Sequence, residues 1–281
     1  MIVISTVYDL KKYVIDKRIK GATIGLFPTM GYLHEGHISL INRSVEENDV
    51  TIMSIFVNPT QFGPNEDFDK YPRDFANDCK LAENAEVDVV FAPNVTEMYP
   101  NNYNTYVDVQ NITQFLCGAR REGHFKGVAT VVCKLFNICM PHRAYFCQKD
   151  YQQVQVVKRM VLDLNMNLDI VVCPTIRESD GLAMSSRNVY LSSDERAQAV
   201  VLSQSLMVAQ KLVDAGERSA KVLAMKVEQE IKKATLANIE YAEIVDCELL
   251  NRIESVDTKA LLALAVKFGN TRLIDNSILE V

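Results

Sequence analysis

The chain has 281 residues, of which 48% are hydrophobic and 23% are charged, a composition typical of a folded protein with one or two domains. Its formal net charge of -6 gives no general attraction for a polyanion, so composition disfavours nucleic-acid binding. The 7 cysteines occur singly, without a C-x-x-C pair, and no apolar stretch is long enough to span a bilayer. We therefore expect reduced thiols, a cytoplasmic location and no membrane association.

The N-terminal part of the chain begins with a β-α-β pattern. An apolar run at residues 22–27 predicts a buried strand that ends at Pro28. The turn that follows contains glycines and leads into a helical stripe of apolar residues over 38–45. The β-branched run at 50–57 predicts the next strand of a covered sheet.

The same alternation of helix and strand continues to about residue 173. The further predicted elements are helices at 74–83, 128–139 and 151–162 and strands at 87–91, 144–146 and 168–173. Roughly five strands that alternate with helices indicate an α/β fold with a Rossmann-like parallel sheet. Ligands bind such sheets beyond the carboxyl ends of the strands, so the loops there are the candidate site.

The C-terminal third has a different pattern, in which a polar loop at 177–193 precedes helices and short alternating segments. The helices are predicted at 194–213 and 219–236, and the strands at 239–245, 261–266 and 272–278. Helices packed on a small antiparallel sheet are the expected arrangement. We therefore predict a Rossmann-like domain at residues 1–176 and a smaller α+β domain at 177–281.

The first predicted strand turns into its helix through the sequence FPTMGYLHEGH, residues 27–37. A helix N-terminus presents free N–H groups and a partial positive charge, which favour a phosphate, and Gly36 allows a ligand to approach the main chain closely. His34 and His37 are three residues apart and face the same side. A pair of surface or core histidines, or half of a zinc site, is the plain alternative, but the strand-turn-helix context favours a phosphate site.

Three other polar loops contain residues suited to the same ligand. Residues 184–187 (MSSR) provide two hydroxyls and a guanidinium for phosphate, although a serine-rich linker is the commoner meaning of such a stretch. Lys149 follows a predicted strand and precedes Asp150, which suits a helix N-cap. Asn58 and Gln61 are uncharged hydrogen-bonding groups that suit a hydroxy acid, and an ordinary polar turn explains them equally well.

Taken together, these loops resemble the H-x-G-H nucleotidyl-transferring superfamily and, within it, the pantothenate synthetase family. The matching stretches are FPTMGYLHEGH, FVNPTQFGPNEDFDKYPR, REGHFKGV and GLAMSSRNVYLS. The resemblance implies a ligase that forms pantoyl adenylate from ATP and (R)-pantoate, releases pyrophosphate, and then transfers the acyl group to β-alanine to give pantothenate and AMP. It also implies a homodimer.

The resemblance further implies roles for individual residues. The catalytic residues would be His37 as proton donor, His34, Lys149 and Arg187. The ATP-binding residues would be Met30, Gly31, Tyr32, Leu33, His34, Glu35, Gly36, His37, Cys147, Gln148, Lys149, Asp150, Ile176, Met184, Ser185, Ser186 and Arg187. Pantoate or β-alanine would contact Gln61, Gln153, Asn58, Pro28 and Met30. Mg²⁺ is expected with ATP because the charge of the departing pyrophosphate must be screened, and Asp78 is its candidate ligand.

One residue departs from the family pattern, and other functions stay open. Cys147 stands where the family usually has glycine, and a side chain there would crowd the nucleotide if the backbone needed a positive φ. A nucleotidylyltransferase would use the same histidine loop, but Asn58, Gln61 and Gln153 suit a hydroxy acid better than a phosphorylated substrate. A nucleotide-binding regulator without turnover is the other alternative, since a fold does not establish a function. The acidic balance argues against a tRNA synthetase.

Overall fold

The structure is a computed structural model that describes residues 1–64 and 66–281. Contacts divide these residues into two compact units. The first unit comprises residues 1–110, 121–147 and 156–174, and the second comprises 111–120, 148–155 and 175–281. The division of the chain at residue 177 stays a prediction. The second unit also includes two short segments from earlier in the chain.

The first unit is built on a parallel sheet, as the sequence predicts. In the described part of the chain its strands are β1 (Ile2–Ile4), β2 (Ile24–Thr29), β3 (Val50–Ile55), β4 (Val89–Phe91), β5 (Arg143–Cys147) and β6 (Asp169–Cys173). The strand order is β1-β4-β3-β2-β5-β6 and every pairing is parallel. Because the order reverses at β2, with β3 on one side and β5 on the other, the carboxyl end of β2 lies at a topological switch point.

Helices connect these strands. They are α1 (Val7–Ile19), α2 (Glu35–Glu47), α3 (Phe75–Asn84), α4 (Val95–Met98), α5 (His124–Cys139) and α6 (Tyr151–Asp163). Helix α2 packs against α3, and α1 packs against α5. One hydrophobic cluster, which includes Phe27, Leu40, Ile41 and Met53, lies between the sheet and α2 and α3. These helices and strands confirm the predicted Rossmann-like fold.

Two features of this sheet differ from the sequence prediction. The strand β1 and helix α1 were not predicted, because β1 is short and largely exposed and so shows no apolar run. The strand β2 does not end at Pro28 but continues to Thr29. Proline has no N–H, and at position 28 an N–H would face strand β5. The pairing of β5 with β2 ends at Leu26, two residues earlier, so Pro28 is tolerated here.

The second unit contains the predicted helices and antiparallel sheet. Its helices are α7 (Ser193–Ala199), α8 (Val201–Asp214) and α9 (Ala220–Ile231), and the strands in its described residues are β7 (Ala237–Val245), β8 (Lys259–Phe268) and β9 (Thr271–Glu280). The strand order is β7-β8-β9. The predicted helix at 194–213 is divided at Val200 into α7 and α8. Among residues 1–64 and 66–281, every helix is too short or too polar to cross a lipid bilayer.

Candidate active site

The H-x-G-H loop lies at the carboxyl end of β2, at the switch point of the sheet. Gly31 has a φ of 88° and Tyr32 a φ of 55°, so the chain turns sharply between the strand and helix α2. Glycine accepts this left-handed conformation at no steric cost, whereas Tyr32 must be held in it. His34 follows as the N-cap residue of α2, with Glu35 and Gly36 as the first two residues of the helix.

The imidazoles of His34 and His37 stack on each other, with ring centroids 3.9 Å apart and an interplanar angle of 27°. The main-chain N–H of His34 donates to Nδ1 of His37 at 3.3 Å. Nδ1 is therefore the acceptor nitrogen, and the neutral ring of His37 has its proton on Nε2. The ring of His37 thus has its N–H near the positive end of helix α2, where a phosphate is favoured.

Asp78, on helix α3, binds the main chain of this loop. Its side chain is 1% exposed, and its two oxygens accept the N–H groups of Tyr32 at 2.8 Å and of Leu33 at 2.7 Å. Burial raises the pKa of the Asp78 carboxyl, and the two N–H groups lower it in part. The carboxylate thus holds Tyr32 in its left-handed conformation.

These contacts bear on the expected metal. Asp78 does not fit the role of a Mg²⁺ ligand, because the carboxylate is buried and both of its oxygens bind main-chain N–H groups. In the part of the chain that the structure describes, no three His, Cys, Asp or Glu side chains form a group that could hold a metal ion. We interpret Asp78 as a residue that positions the histidine loop.

Replacing Asp78 with alanine is expected to weaken ATP binding and to lower the free energy of unfolding. Each buried N–H left without its acceptor costs about 1–3 kcal/mol, so both the urea midpoint and the KM for ATP are the measurements. The matched control is Asp74→Ala, which removes the N-cap of the same helix without touching the loop. A cap costs about 1 kcal/mol. An unchanged KM for ATP in Asp78→Ala would contradict the positioning role.

Asn58 and Gln61, predicted to bind the hydroxy acid, lie together after β3. Asn58 is 1% exposed, and its Nδ2 donates to Oε1 of Gln61 at 3.1 Å and to the carbonyl of Gly127 at 3.2 Å. Its Oδ1 accepts from the Tyr99 hydroxyl at 2.8 Å. The amide of Asn58 is therefore satisfied within the protein, and Gln61, at 9% exposed, is the more accessible residue of the pair.

Gln61 connects this turn to the histidine loop. Its Nε2 donates to the sulfur of Met30 at 3.1 Å, and its side chain is 9% exposed. Met30 directly follows Thr29, the last residue of β2, and Pro28 lies one residue before that. The structure thus brings together four of the five residues that the resemblance implied for pantoate or β-alanine: Gln61, Asn58, Pro28 and Met30.

His124, Arg121 and Glu66 form a hydrogen-bonded group that holds the main chain of Gln61 in place. The sequence analysis assigned these three residues no role. His124 Nδ1 lies 2.8 Å from the carbonyl oxygen of Gln61, and Arg121 Nη1 lies 3.0 Å from Nε2 of the same imidazole. Arg121 also makes two hydrogen bonds to Glu66, at 2.7 and 2.6 Å. Burial raises the pKa of Glu66, but the guanidinium more than offsets this and holds it below its ordinary value. The run REGHFKGV was the available signal, but it carried no indication of a partner 60 residues away.

The remaining predicted ATP residues, apart from Cys147, belong to the second unit. Gln148–Asp150 form a short 3-10 turn directly before helix α6, and Gln153 lies in the first turn of that helix. In the serine-rich loop, the N–H of Met184 donates to the carbonyl of Ile176 at 3.0 Å. Ser185 Oγ accepts the N–H of Arg187 at 3.3 Å, at the start of a 3-10 helix over Ser186–Tyr190.

Cys147 is the last residue of β5 and lies in extended backbone, paired with Cys173 of β6. It is absent from the residues of positive φ among 1–64 and 66–281, so the side chain causes no left-handed strain. Its thiol lies 3.8 Å from the carbonyl oxygen of Pro174. The proposed crowding of a nucleotide by this side chain therefore cannot come from the backbone conformation.

Comparison with known proteins identifies relatives across the full length of the chain. A family model described as pantoate-beta-alanine ligase matches residues 2–278. A pantothenate synthetase from Acetivibrio thermocellus is 60% identical over 281 residues, which cover 100% of each chain. One from Thermotoga petrophila is 54% identical over 279 residues, which cover 99% of this chain and 100% of the relative.

Solved structures give the same result. The crystal structure of pantothenate synthetase from Thermus thermophilus superposes with a TM-score of 0.96 at 42% identity and covers 100% of both chains. The pantoate-beta-alanine ligase from Francisella tularensis, solved in complex with beta-gamma ATP and beta-alanine, superposes with a TM-score of 0.81 at 35% identity, over 100% of this chain and 98% of that one.

Proposed function

The chain belongs to the pantoate-beta-alanine ligase family, and from this premise we propose how its own residues carry out the reaction. The protein is an ATP-dependent ligase that condenses pantoate with β-alanine to give pantothenate, AMP and pyrophosphate. A carboxylate oxygen of pantoate attacks the α-phosphorus of ATP, and the bond to pyrophosphate breaks. The β-alanine nitrogen then attacks the acyl carbon of pantoyl adenylate, AMP leaves, and the new amide nitrogen loses a proton.

We assign the first step to the histidine loop. The observation that carries this assignment is the stacked pair of His34 and His37 at the N-terminus of α2, with the proton of His37 placed on Nε2 by the N–H of His34. An imidazole N–H in this place donates to a phosphate oxygen as negative charge develops on it. Preorganised donors of this kind lower the barrier because they need no reorganisation during the reaction.

We assign the β and γ phosphates to the cationic residues of the second unit. Lys149 and Arg187 would neutralise the charge of the departing pyrophosphate, with the hydroxyls of Ser185 and Ser186 as further donors. Arginine presents a planar fork of donors to phosphate, and lysine acts as a point charge. Gln148, Asp150, Ile176 and Met184 would complete the nucleotide contacts.

We assign pantoate to Gln61 and Gln153, with Met30 and Pro28 as apolar neighbours. Amide side chains bind a carboxylate and hydroxyls without competing as nucleophiles. Asn58 acts on pantoate through Gln61, because its amide hydrogen bonds are already made within the protein. This indirect role refines the expectation that Asn58 contacts the acid itself.

We propose that ATP enters as its Mg²⁺ complex. Mg²⁺ keeps several waters and is usually bound through one or two carboxylates together with substrate phosphates. A cytoplasmic location is supported by the 7 cysteines, since no disulfide joins any two of them among the described residues. A homodimer is proposed from the family resemblance, and light scattering coupled to gel filtration measures it directly.

The direct test is product analysis. Incubation with ATP, Mg²⁺, pantoate and β-alanine should yield AMP and pantothenate in equal amounts, whereas a product that retains the nucleotide would overturn the assignment. A second assay isolates the first step. Exchange of labelled pyrophosphate into ATP should depend on pantoate and proceed without β-alanine.

Cys147→Gly tests the one departure from the family pattern. The substitution removes a thiol next to the proposed nucleotide position, so we expect a changed KM for ATP or a lost sensitivity to thiol reagents. The control is Cys133→Ala, because Cys133 lies within helix α5, where its Sγ accepts from Asn137 Nδ2 at 3.6 Å. If Cys147→Gly alters neither the KM nor the inhibition, the side chain has no part in ATP binding.

A further inference from the structure

Two adjacent polar residues are buried in strand β9 of the second unit. Asp275 is 2% exposed and Asn276 is 5% exposed. Burial of a charge or an amide costs free energy unless each is hydrogen-bonded, so a buried Asp-Asn pair in a strand needs a structural reason. Both side chains are directed at loops to which the proposed function assigns ATP.

Asn276 holds the turn that carries Lys149. Its Nδ2 donates to the carbonyl oxygen of Gln148 at 3.0 Å and to that of Lys149 at 2.8 Å. Both N–H groups of one amide thus bind consecutive carbonyls of the 3-10 turn before helix α6. Because the contacts are to the main chain, they set the position of the Lys149 backbone and leave its ammonium group free of this contact.

Asp275 holds the base of the serine-rich loop. Its two oxygens accept from the guanidinium of Arg177 at 2.6 and 3.0 Å, and Arg177 also donates to the carbonyl of Gly181 at 3.1 Å. Residues Arg177 and Ala183 face each other in an antiparallel bridge, immediately before Met184. The ion pair therefore fixes the segment from which residues 184–187 extend.

Successive side chains of a strand point to opposite faces, so two neighbouring residues can hold two different segments. Asp275 also accepts the N–H of its neighbour Asn276 at 2.8 Å, which joins the two contacts. A misplacement of about 1 Å in a catalytic group is enough to cost about 100-fold in rate. One rigid strand that holds both loops would keep their charged groups in a constant spacing.

We propose that Asp275 and Asn276 are positioning residues for the adenylation step: Asn276 sets the turn of Lys149, and Asp275 sets, through Arg177, the loop of Ser185, Ser186 and Arg187. This inference rests on the proposed roles of Lys149 and Arg187 in ATP binding. Neither Asp275 nor Asn276 touches the nucleotide in this proposal. Their substitution alters catalysis only through the two loops.

The test is a double-mutant cycle measured by pantoate-dependent pyrophosphate exchange. Asn276→Ala should lower kcat about 10- to 100-fold, with the KM for pantoate unchanged. The single variant Lys149→Ala should lower kcat more than Asn276→Ala does. Because Asn276 acts through Lys149, adding Asn276→Ala to Lys149→Ala should cause little additional loss. Full additivity of the two losses overturns the role of Asn276.

The single variants separate the two proposals. If Lys149→Ala retains normal exchange, the assigned role of Lys149 fails. If Lys149→Ala is impaired but Asn276→Ala is normal, the positioning inference alone fails. Asn276→Ser, which keeps a smaller hydrogen-bonding group, carries the same cycle should the alanine variant not fold.

Asp275 is tested in the same way with Arg177. Asp275→Asn keeps the shape of the side chain but removes its charge, and should raise the KM for ATP, as should Arg177→Gln. The double variant should be no worse than the poorer single one. Independent, additive effects would show that the pair does not act as a unit.

Two controls on the same sheet exclude a general loss of stability. Ser277→Ala changes the next residue of β9, and Leu279→Ala removes a core side chain of the same strand that is 0% exposed and pairs with Ala260. Leu279→Ala should lower the thermal midpoint at least as much as Asn276→Ala while kcat stays near that of the unaltered protein. An equal fall of kcat in Leu279→Ala would attribute the whole effect to stability and overturn the proposal.

Discussion

Replacing His37 with alanine is expected to lower kcat for pantoate-dependent pyrophosphate exchange by about 10²–10⁴-fold, the range for loss of a positioned acid or a preorganised donor. The N–H of His34 donates to Nδ1 of His37, so the ring proton sits on Nε2. Alanine removes this donor, and because the imidazole is neutral the substitution removes no charge. The KM for pantoate should change little, because the contact belongs to the transition state.

The chain offers a matched control for this experiment. Of its 4 histidines, His142 directly precedes strand β5. Its Nδ1 accepts the N–H of Ile24, the first residue of β2, at 2.9 Å, whereas the histidine loop follows the other end of β2. His142→Asn retains an acceptor and should leave exchange near its normal rate. Comparable activity in His37→Ala and His142→Asn would remove the basis for assigning adenylation to the histidine loop.

Replacing Gly127 with alanine is expected to raise the KM for pantoate by about 10-fold or more and to destabilise the protein. Gly127, on helix α5, lies against the turn of Gln61, and an added Cβ would be 2.5 Å from the carbonyl carbon of Thr60 and 2.6 Å from the amide nitrogen of Gln61. These are main-chain atoms, so the turn itself must move. A shift of about 1 Å at a binding group is costly.

The sign of the stability change makes this experiment informative. A glycine-to-alanine change inside a helix normally stabilises by about 0.5–1 kcal/mol. Forced overpacking costs about 1–3 kcal/mol, and it dominates here because the contact is with backbone. Gly63→Ala is the control, since its Cβ would meet only the Glu66 side chain at 3.7 Å. A stabilised Gly127→Ala variant with normal pantoate affinity would show that the turn yields easily.

The sequence alone was sufficient for features that depend on neighbouring residues. Apolar runs and helical stripes have local periods, so the alternation of strands and helices, and with it the parallel sheet, could be predicted and was confirmed. The histidine loop was found for the same reason, because its strand, turn and helix follow one another within residues 24–47. The differences were the unpredicted strand β1, the continuation of β2 past Pro28 and the division of the helix predicted at 194–213.

Tertiary structure decided the contacts of residues whose partners are distant in the chain. Asp78 was expected to bind a metal, but its carboxylate holds main-chain groups 45 and 46 residues away. Asn58 orients Gln61 and contacts Gly127, 69 residues away, and Asn276 binds the turn of Lys149 from 127 residues away. A buried polar side chain is hydrogen-bonded wherever the fold brings a partner. No local pattern encodes that partner, so these hydrogen-bonded pairs emerged only when the chain was folded.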